Sequence, residues 1–324
     1  MNRNTMNLLN NARRAYRKME RKIVPNKTYG LSIDFCGQDA SDLIKAKILE
    51  DRPCMISRFG STELNAIVRH FGVNKPSKLP LEKSINYILG NIEIFWWDEG
   101  SRTNMKDLSG FFPITDSSLE AFSLRMIKDI ENIDILGSWL EQESEFSDLL
   151  KNASIVNLAD LEPYYHLNPW SEALEGKIVL VIHPFEHSIQ QQYKKHNLLF
   201  KDKRTLPKFE LKTFKSIQSI AGNSSNFSTW FDALDWMCEK ISEIEFDVAI
   251  IGAGAYGLPI ASYIKNAGRK SIHLGGATQI LFGIKGQRWD NHPVIKELYN
   301  QYWVKPLSSE IPNNHQSVEG GCYW

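Results

Sequence analysis

Short apolar runs and amphipathic stretches alternate along most of the chain. The run CMISRF, residues 54–59, stops at the turn signal Gly60. Behind it, STELNAIVRHFG repeats Leu64, Ile67, Val68 and Phe71 at helical spacing and stops at Gly72. That order predicts a strand, a tight turn and a helix. Further on, KIVLVIHPF (177–185) reads as a strand and SIQQQYKKHNLLF as the helix behind it, while FELKTFKSIQ (209–218) reads as another strand. STWFDALDWMCEKISEI (228–244) carries Trp230, Leu234, Met237 and Ile241 on one helical stripe. DVAIIG, YGLPIASYIKNAG and SIHL then follow as strand, helix and strand. Several of these strands are continuous apolar runs, the pattern of strands buried on both faces. Between residues 76 and 175 the pattern is mainly helical, in LEKSINYILGNIEIFWW, SLEAFSLRMIKDIENIDILGSWLEQE and FSDLLKNA. The expectation is an α/β, Rossmann-like doubly wound fold, with a mainly parallel sheet and a helical insertion over about 76–175.

The ends of the chain differ from this body. Residues 1–27 hold eight basic side chains (Arg3, Arg13, Arg14, Arg17, Lys18, Arg21, Lys22, Lys27) against one acid, Glu20. Leu8, Leu9, Ala12, Tyr16 and Met19 fall near helical spacing, so a basic amphipathic helix is expected over 1–29. Such a helix suits the surface of an anionic membrane, and equally suits a cover over part of the core or a subunit interface. The body then spans 30–306, and a tail, 307–324, ends in apolar bulk suited to packing back onto it.

Composition narrows the classes. Lys plus Arg (38) cancels Asp plus Glu (38), which argues against a nucleic-acid partner, because duplex binders carry a basic footprint. Cys36, Cys54, Cys238 and Cys322 form no C-x-x-C pair and read as free thiols. No apolar run approaches the roughly 18 residues needed to cross a bilayer, and the N-terminus lacks a signal-peptide core. The expected location is cytoplasmic, with peripheral contact at the inner face of the cell membrane through residues 1–27.

Four turns carry the candidate chemistry. In DVAIIGAGAYGLPIASYIKNAGRKSIHLGG, Gly252, Gly254 and Gly257 follow a strand and open a helix, whose N-terminus offers unpaired N–H groups to an anion. A dinucleotide fold wants an acid on the ribose at the end of the next strand. That place holds His273, Leu274, Gly275 and Gly276, so NAD and FAD are not expected and another phosphate-bearing ligand is. In HPFEHSIQQQY, His183, Glu186 and His187 belong to the carboxyl edge of the sheet, and a zinc site built on the two histidines is not expected, because no third ligand lies at useful spacing. In SRFGSTE, Arg58 has the donor fork suited to phosphate. Glu63 can take a proton or hold a divalent ion, or be a helix-start acid favoured by the macrodipole. In GGATQILFGIKGQRW (275–289), Gln279, Arg288 and Trp289 suit a sugar or nucleotide pocket, or a glycine-rich surface loop.

Taken together, ISRFGSTELNAI, VLVIHPFEHSIQQQY, WFDALDWM, the glycine-rich stretch and TQILFGIKGQRW make the chain resemble the GT-D type of glycosyltransferases, particularly those of bacterial surface-polysaccharide clusters. The resemblance covers roughly residues 50–290. It implies a single catalytic domain that moves a sugar from a nucleotide-sugar donor to a saccharide or lipid-linked saccharide acceptor, in polysaccharide or glycoconjugate biosynthesis. Donor contacts are then expected from Arg58, Phe59, Gly60, Ser61, Gly252, Gly254, Tyr256, Gly257, His273, Gly275, Gly276, Gln279 and Arg288. Glu63, Glu186 and His183 are the candidate general bases. The related R-F-G-D-G-E motif, whose Asp-x-Glu is associated with a divalent ion, stands here as Arg58, Phe59, Gly60, Ser61, Thr62, Glu63. Ser61 replaces the acid, so Mn2+ or Mg2+ would rest on Glu63 alone. A nucleotide-dependent oxidoreductase or methyltransferase, and a non-catalytic envelope-assembly scaffold, are the competing classes.

Overall fold

A computed structural model describes residues 2–23, 30–74, 80–223 and 225–324. Its centre is a seven-stranded sheet formed by β1 (Cys54–Ser57), β2 (Ile135–Ser138), β3 (Ser154–Asn157), β4 (Ile178–Ile182), β5 (Glu210–Phe214), β6 (Val248–Ile251) and β7 (Lys270–His273). All pairings are parallel, in the order β3-β2-β1-β7-β6-β4-β5. This is the Rossmann-like α/β arrangement expected from the apolar runs.

Alternation along each strand feeds two cores. Met55, Leu136, Leu180, Ile182, Ala249 and Ile251 face one, built with the helices Ser61–Asn74, Asp116–Ile130, Trp230–Ser242 and Gly257–Asn266. Ile56, Ile135, Val179, Val181, Ile250 and Ile272 face the other, packed on the helices Gln38–Leu49 and Glu186–Tyr193 and on the chain after β7. Strand side chains alternate between faces, so every buried strand needs both layers.

The segment 76–175 departs from the expected helical insertion. It does contain the helices Pro80–Ile88, Glu99–Asp107 and Asp116–Ile130, the last two opened by capping boxes at Asp98 and Thr115. It also supplies β2 and β3, one edge of the sheet. The stretch read as one long helix ends at Ile130, and a turn at 131–132 releases the chain into β2. Four residues are too few for periodicity to tell a strand from a helix end.

At the N-terminus, the helix Arg3–Ile23 is docked on one side. Leu9 joins a small core with Tyr87, Ile92 and Trp96. Arg13 is buried there, donating to the carbonyls of Tyr87 (3.2 Å) and Ile92 (2.7 Å) and to Glu93 Oε1 (2.5 Å). Its outward side carries Leu8, Met19, Arg3, Arg14 and Lys18. Among the described residues, no helix is long and apolar enough to cross a membrane. The tail is woven into the body. The Glu310 carboxylate, buried, accepts from the backbone of His187 (2.7 Å) and Ser188 and from the Ser188 hydroxyl. It thereby satisfies the open N-terminus of Glu186–Tyr193.

Candidate functional site

The connection after β4 leaves on one face of the sheet, and those after β1 and β6 leave on the other. Chains that part in opposite directions open a crevice at the carboxyl ends of the strands. Here the crevice is a cavity of about 440 Å³. Its walls bring together Arg58, Gly60, Ser61, Glu63, His183, Gly252, Gly254, Tyr256, His273, Gly275, Gly276, Gln279 and Arg288. Four turns that are distant in sequence therefore share one space.

The three glycines act differently. A Cβ at Gly252 would stand 2.6 Å from His183 Cδ2 and 2.7 Å from the Gly275 carbonyl, so the turns after β4, β6 and β7 close together only on glycine. Gly254 has φ +54° with nothing within 4 Å of a Cβ position, a left-handed residue facing open space. Gly257 lies outside the cavity wall. A Cβ there would meet His273 Nε2 at 2.2 Å, so it seats the helix Gly257–Asn266 against β7.

Arg58 leaves the end of β1 beneath Trp139, its guanidinium carbon 5.1 Å from the indole centroid. It makes no ion pair among the described residues, and its Nε is out of contact with water and without a partner. Burial pushes its pKa down, while Glu63 and Glu162 favour the charge from a distance. The Glu63 carboxylate folds back over Gly60, close to the position a Cβ would take there. Burial raises Glu162 to about 7 and raises Glu143, which accepts from Ser138 and the Trp139 amide, and the Arg58 charge opposes both shifts. Arg58 is thus a cation ringed by carboxylates, none of which neutralises it directly.

Both histidines are neutral by burial, each pushed down to about 3, His273 further by the Arg58 charge. The Phe185 amide donates to His183 Nδ1 at 2.9 Å. A backbone N–H can only donate, so Nδ1 accepts and Nε2 keeps the proton. That tautomer makes His183 a hydrogen-bond donor to a ligand and leaves it poorly suited as a general base. His273 Nδ1 lies 3.1 Å from Ser57 Oγ, tying β7 to β1. Tyr256 lies flat on Trp230, centroids 4.9 Å apart, with its hydroxyl 3.3 Å from Ser219 Oγ.

Two further expectations are corrected by position. Glu186 does not line the cavity; its Oε1 accepts from Thr213 Oγ1 at 2.9 Å, beside the edge strand β5. Phe59 is fully buried and stacked on Phe146, so only its carbonyl, which accepts from Trp139 Nε1 (3.0 Å), serves the site. The cavity also holds residues that sequence reasoning missed: Trp139 after β2, Ser109, Gln218 and Ser219, and Val318, Glu319, Tyr323 and Trp324 of the tail. The aromatic ending of the tail was the one available signal.

Among the described residues, no group of three His, Cys, Asp or Glu side chains is gathered as metal ligands. The wall carries two carboxylates: Glu319, which is paired with Arg288, and Glu63, which stands beside the hydroxyls of Ser61 and Thr62 and is the one open to a cation. No protein-family model, curated protein or solved structure matches the chain.

Proposed function

We propose that the protein is a glycosyltransferase that takes a sugar from a nucleotide-sugar donor, whose diphosphate lies in the cavity between Arg58 and the turn at Gly254. The observation that carries this reading is the unpaired Arg58 guanidinium on the cavity wall. A part-buried cation without an ion-pair partner, its Nε shut off from water, carries a desolvation cost that a bound anion offsets. The open backbone at Gly254, ahead of a ten-residue helix, and the Nε2–H of His183 add donors for the same ligand.

In the reaction, the bond between the anomeric carbon and the donor phosphate oxygen breaks, and its electron pair leaves with the diphosphate. The acceptor hydroxyl oxygen bonds to the anomeric carbon and gives its proton to Glu63, the cavity-wall carboxylate whose charge acts on Arg58. Arg58 stabilises the charge that builds on the leaving diphosphate. Mg2+ or Mn2+ commonly binds through one or two carboxylates and substrate phosphates, and the donor set around Glu63 fits that mode. Such an ion would neutralise phosphate charge.

The outward side of the helix Arg3–Ile23, with Leu8 and Met19 beside Arg3, Arg14 and Lys18, supports contact with an anionic cytoplasmic membrane face, where a lipid-linked acceptor would lie. The decisive experiment is a thermal-shift and calorimetric screen against nucleotide sugars, with and without manganese. Selective stabilisation by one nucleotide class is expected. No response to any nucleotide sugar would overturn the reading.

A further inference from the structure

The stretch GGATQILFGIKGQRW was expected to offer polar donors and an aromatic platform to a ligand. In the fold it grips the end of its own chain. Gln279 Nε2 donates to the Tyr323 carbonyl (3.2 Å), and the Arg288 amide donates to the Cys322 carbonyl (2.9 Å). Lys305 Nζ donates to the Trp324 carbonyl (3.1 Å). The Trp324 ring is buried against Phe185. Three backbone anchors and a buried terminal ring make this segment a fixed wall of the cavity.

That wall holds Arg288. Nη1 donates to the Tyr323 hydroxyl at 3.2 Å, and the guanidinium carbon lies 4.7 Å from the Tyr323 ring centroid. Nη2 pairs with the Glu319 carboxylate. Glu319, Gly320 and Gly321 all have positive φ, so an uncommon turn presents Glu319 to Arg288. Both partners line the cavity, with 39% and 52% of their side chains exposed. An ion pair this open to water is weak enough to be exchanged. A phosphate, carrying more charge and matching the guanidinium fork, is the natural replacement.

We propose that the C-terminal wall governs anion binding: Tyr323 is the positioning residue for Arg288, and Glu319 is the internal anion that the ligand's phosphate displaces. This rests on the reading of the cavity as a diphosphate site and specifies how that site is gated. The two residues then act with opposite sign. Tyr323→Phe keeps the ring and removes the hydroxyl that fixes Arg288, so binding weakens. Glu319→Gln removes the competing charge, so binding tightens.

The test is calorimetric titration of the full chain with UDP and with inorganic pyrophosphate, for the native protein and both variants, with a melting temperature for each. The expected result is a loss of about three- to tenfold for Tyr323→Phe and a gain of about three- to tenfold for Glu319→Gln. Equal affinities in all three proteins, or weakening in both variants, overturn the proposal. Glu319→Gln alters a half-exposed side chain and keeps the test decisive if Tyr323→Phe lowers the melting temperature. Binding of pyrophosphate without UDP overturns the nucleotide reading, while the opposite signs with pyrophosphate still decide the role of the wall. Binding of neither probe by the native protein overturns both.

Discussion

Gly276 and Tyr323 occupy one space: a Cβ on the glycine would stand 2.8 Å from Cε1 of the tyrosine, with the Trp289 ring 3.3 Å away. Gly276 has φ −61°, which any residue adopts, so its glycine serves room rather than backbone freedom. Gly276→Ala is therefore expected to push the C-terminal wall outward. We expect a loss of about 1–3 kcal/mol of stability, read by denaturant unfolding, and faster proteolysis of the last ten or so residues. Unchanged unfolding and cleavage would mean that the ring yields without cost.

Two glycines of one turn should fail in opposite ways. Gly252→Ala drives a methyl group into His183 and the Gly275 carbonyl, so the fold suffers, by about 1–3 kcal/mol. Gly254→Ala meets no neighbour but must hold φ +54°, at a cost of about 1–2 kcal/mol, and places its methyl group where phosphate would approach. Nucleotide-sugar affinity should then fall at least about tenfold in Gly254→Ala, a loss of about 1.4 kcal/mol. Retained affinity in that variant would remove the turn from the donor site.

Glu63→Gln separates chemistry from capping. As the base, Glu63 should cost about two orders of magnitude or more in turnover when neutralised, with donor affinity largely kept. As a helix-start acid alone, it should cost only about 0.3–1 kcal/mol of stability. Glu186→Gln, off the cavity, should leave turnover at the native level. Activity in Glu63→Gln with loss in Glu186→Gln would reverse the assignment.

His183 and His273 make the fold acid-sensitive. Their folded pKa of about 3 lies below the ordinary value of about 6.5, so the unfolded chain binds more protons as pH falls. Stability is complete above about pH 6.5 and declines from there towards pH 3. At pH 5 each histidine should account for about 2 kcal/mol of lost stability. Melting curves between pH 5 and 8 check this, and His183→Gln should flatten the profile. An unaltered profile in that variant would place the acid sensitivity elsewhere.

The outward side of Arg3–Ile23 predicts salt-dependent binding to vesicles containing anionic lipid. Each basic residue near such a surface contributes about 1 kcal/mol, screened as salt rises. Arg14→Glu with Lys18→Glu should abolish co-sedimentation and leave the melting temperature unchanged, because neither side chain is buried. Binding that ignores both salt and charge reversal would make this helix only a cover for Tyr87 and Trp96.

The sequence made the central strands legible because β1, β4 and β6 are apolar runs closed by Gly60, Pro184 and Gly252, while β7, with Ile272 as its one apolar residue, was marked by the helix before it and Gly275 behind it; the turns after all four share the cavity. β2 and β3 were hidden. Each has four residues, and the helical pattern of Asp116–Ile130 runs almost into β2. Trp139 gave no local sign of its place, and the aromatic ending of the tail signalled only that Tyr323 packs on the body, since the two reach Arg58 and Arg288 across separations that only the folded chain closes. Phe59 and Glu186 were misplaced for the opposite reason. A motif fixes their place in the chain and leaves open which way each side chain points.

The strand order has a consequence for how the molecule comes into being. β1 meets β7 on one side and β6 meets β7 on the other, so the β3-β2-β1 half and the β6-β4-β5 half are joined through β7 alone. β7 is also the last strand of the sheet to leave the ribosome. Both halves can form beforehand from sequential strands, yet the sheet itself stays in two pieces until Lys270–His273 slides between them. Such a late, long-range closure is slow and leaves two bare strand edges exposed in the meantime. The cavity draws on both halves, so ligand binding arises only once β7 has closed the sheet, and a chain cut before Lys270 is expected to have an aggregation-prone edge on each half and no site.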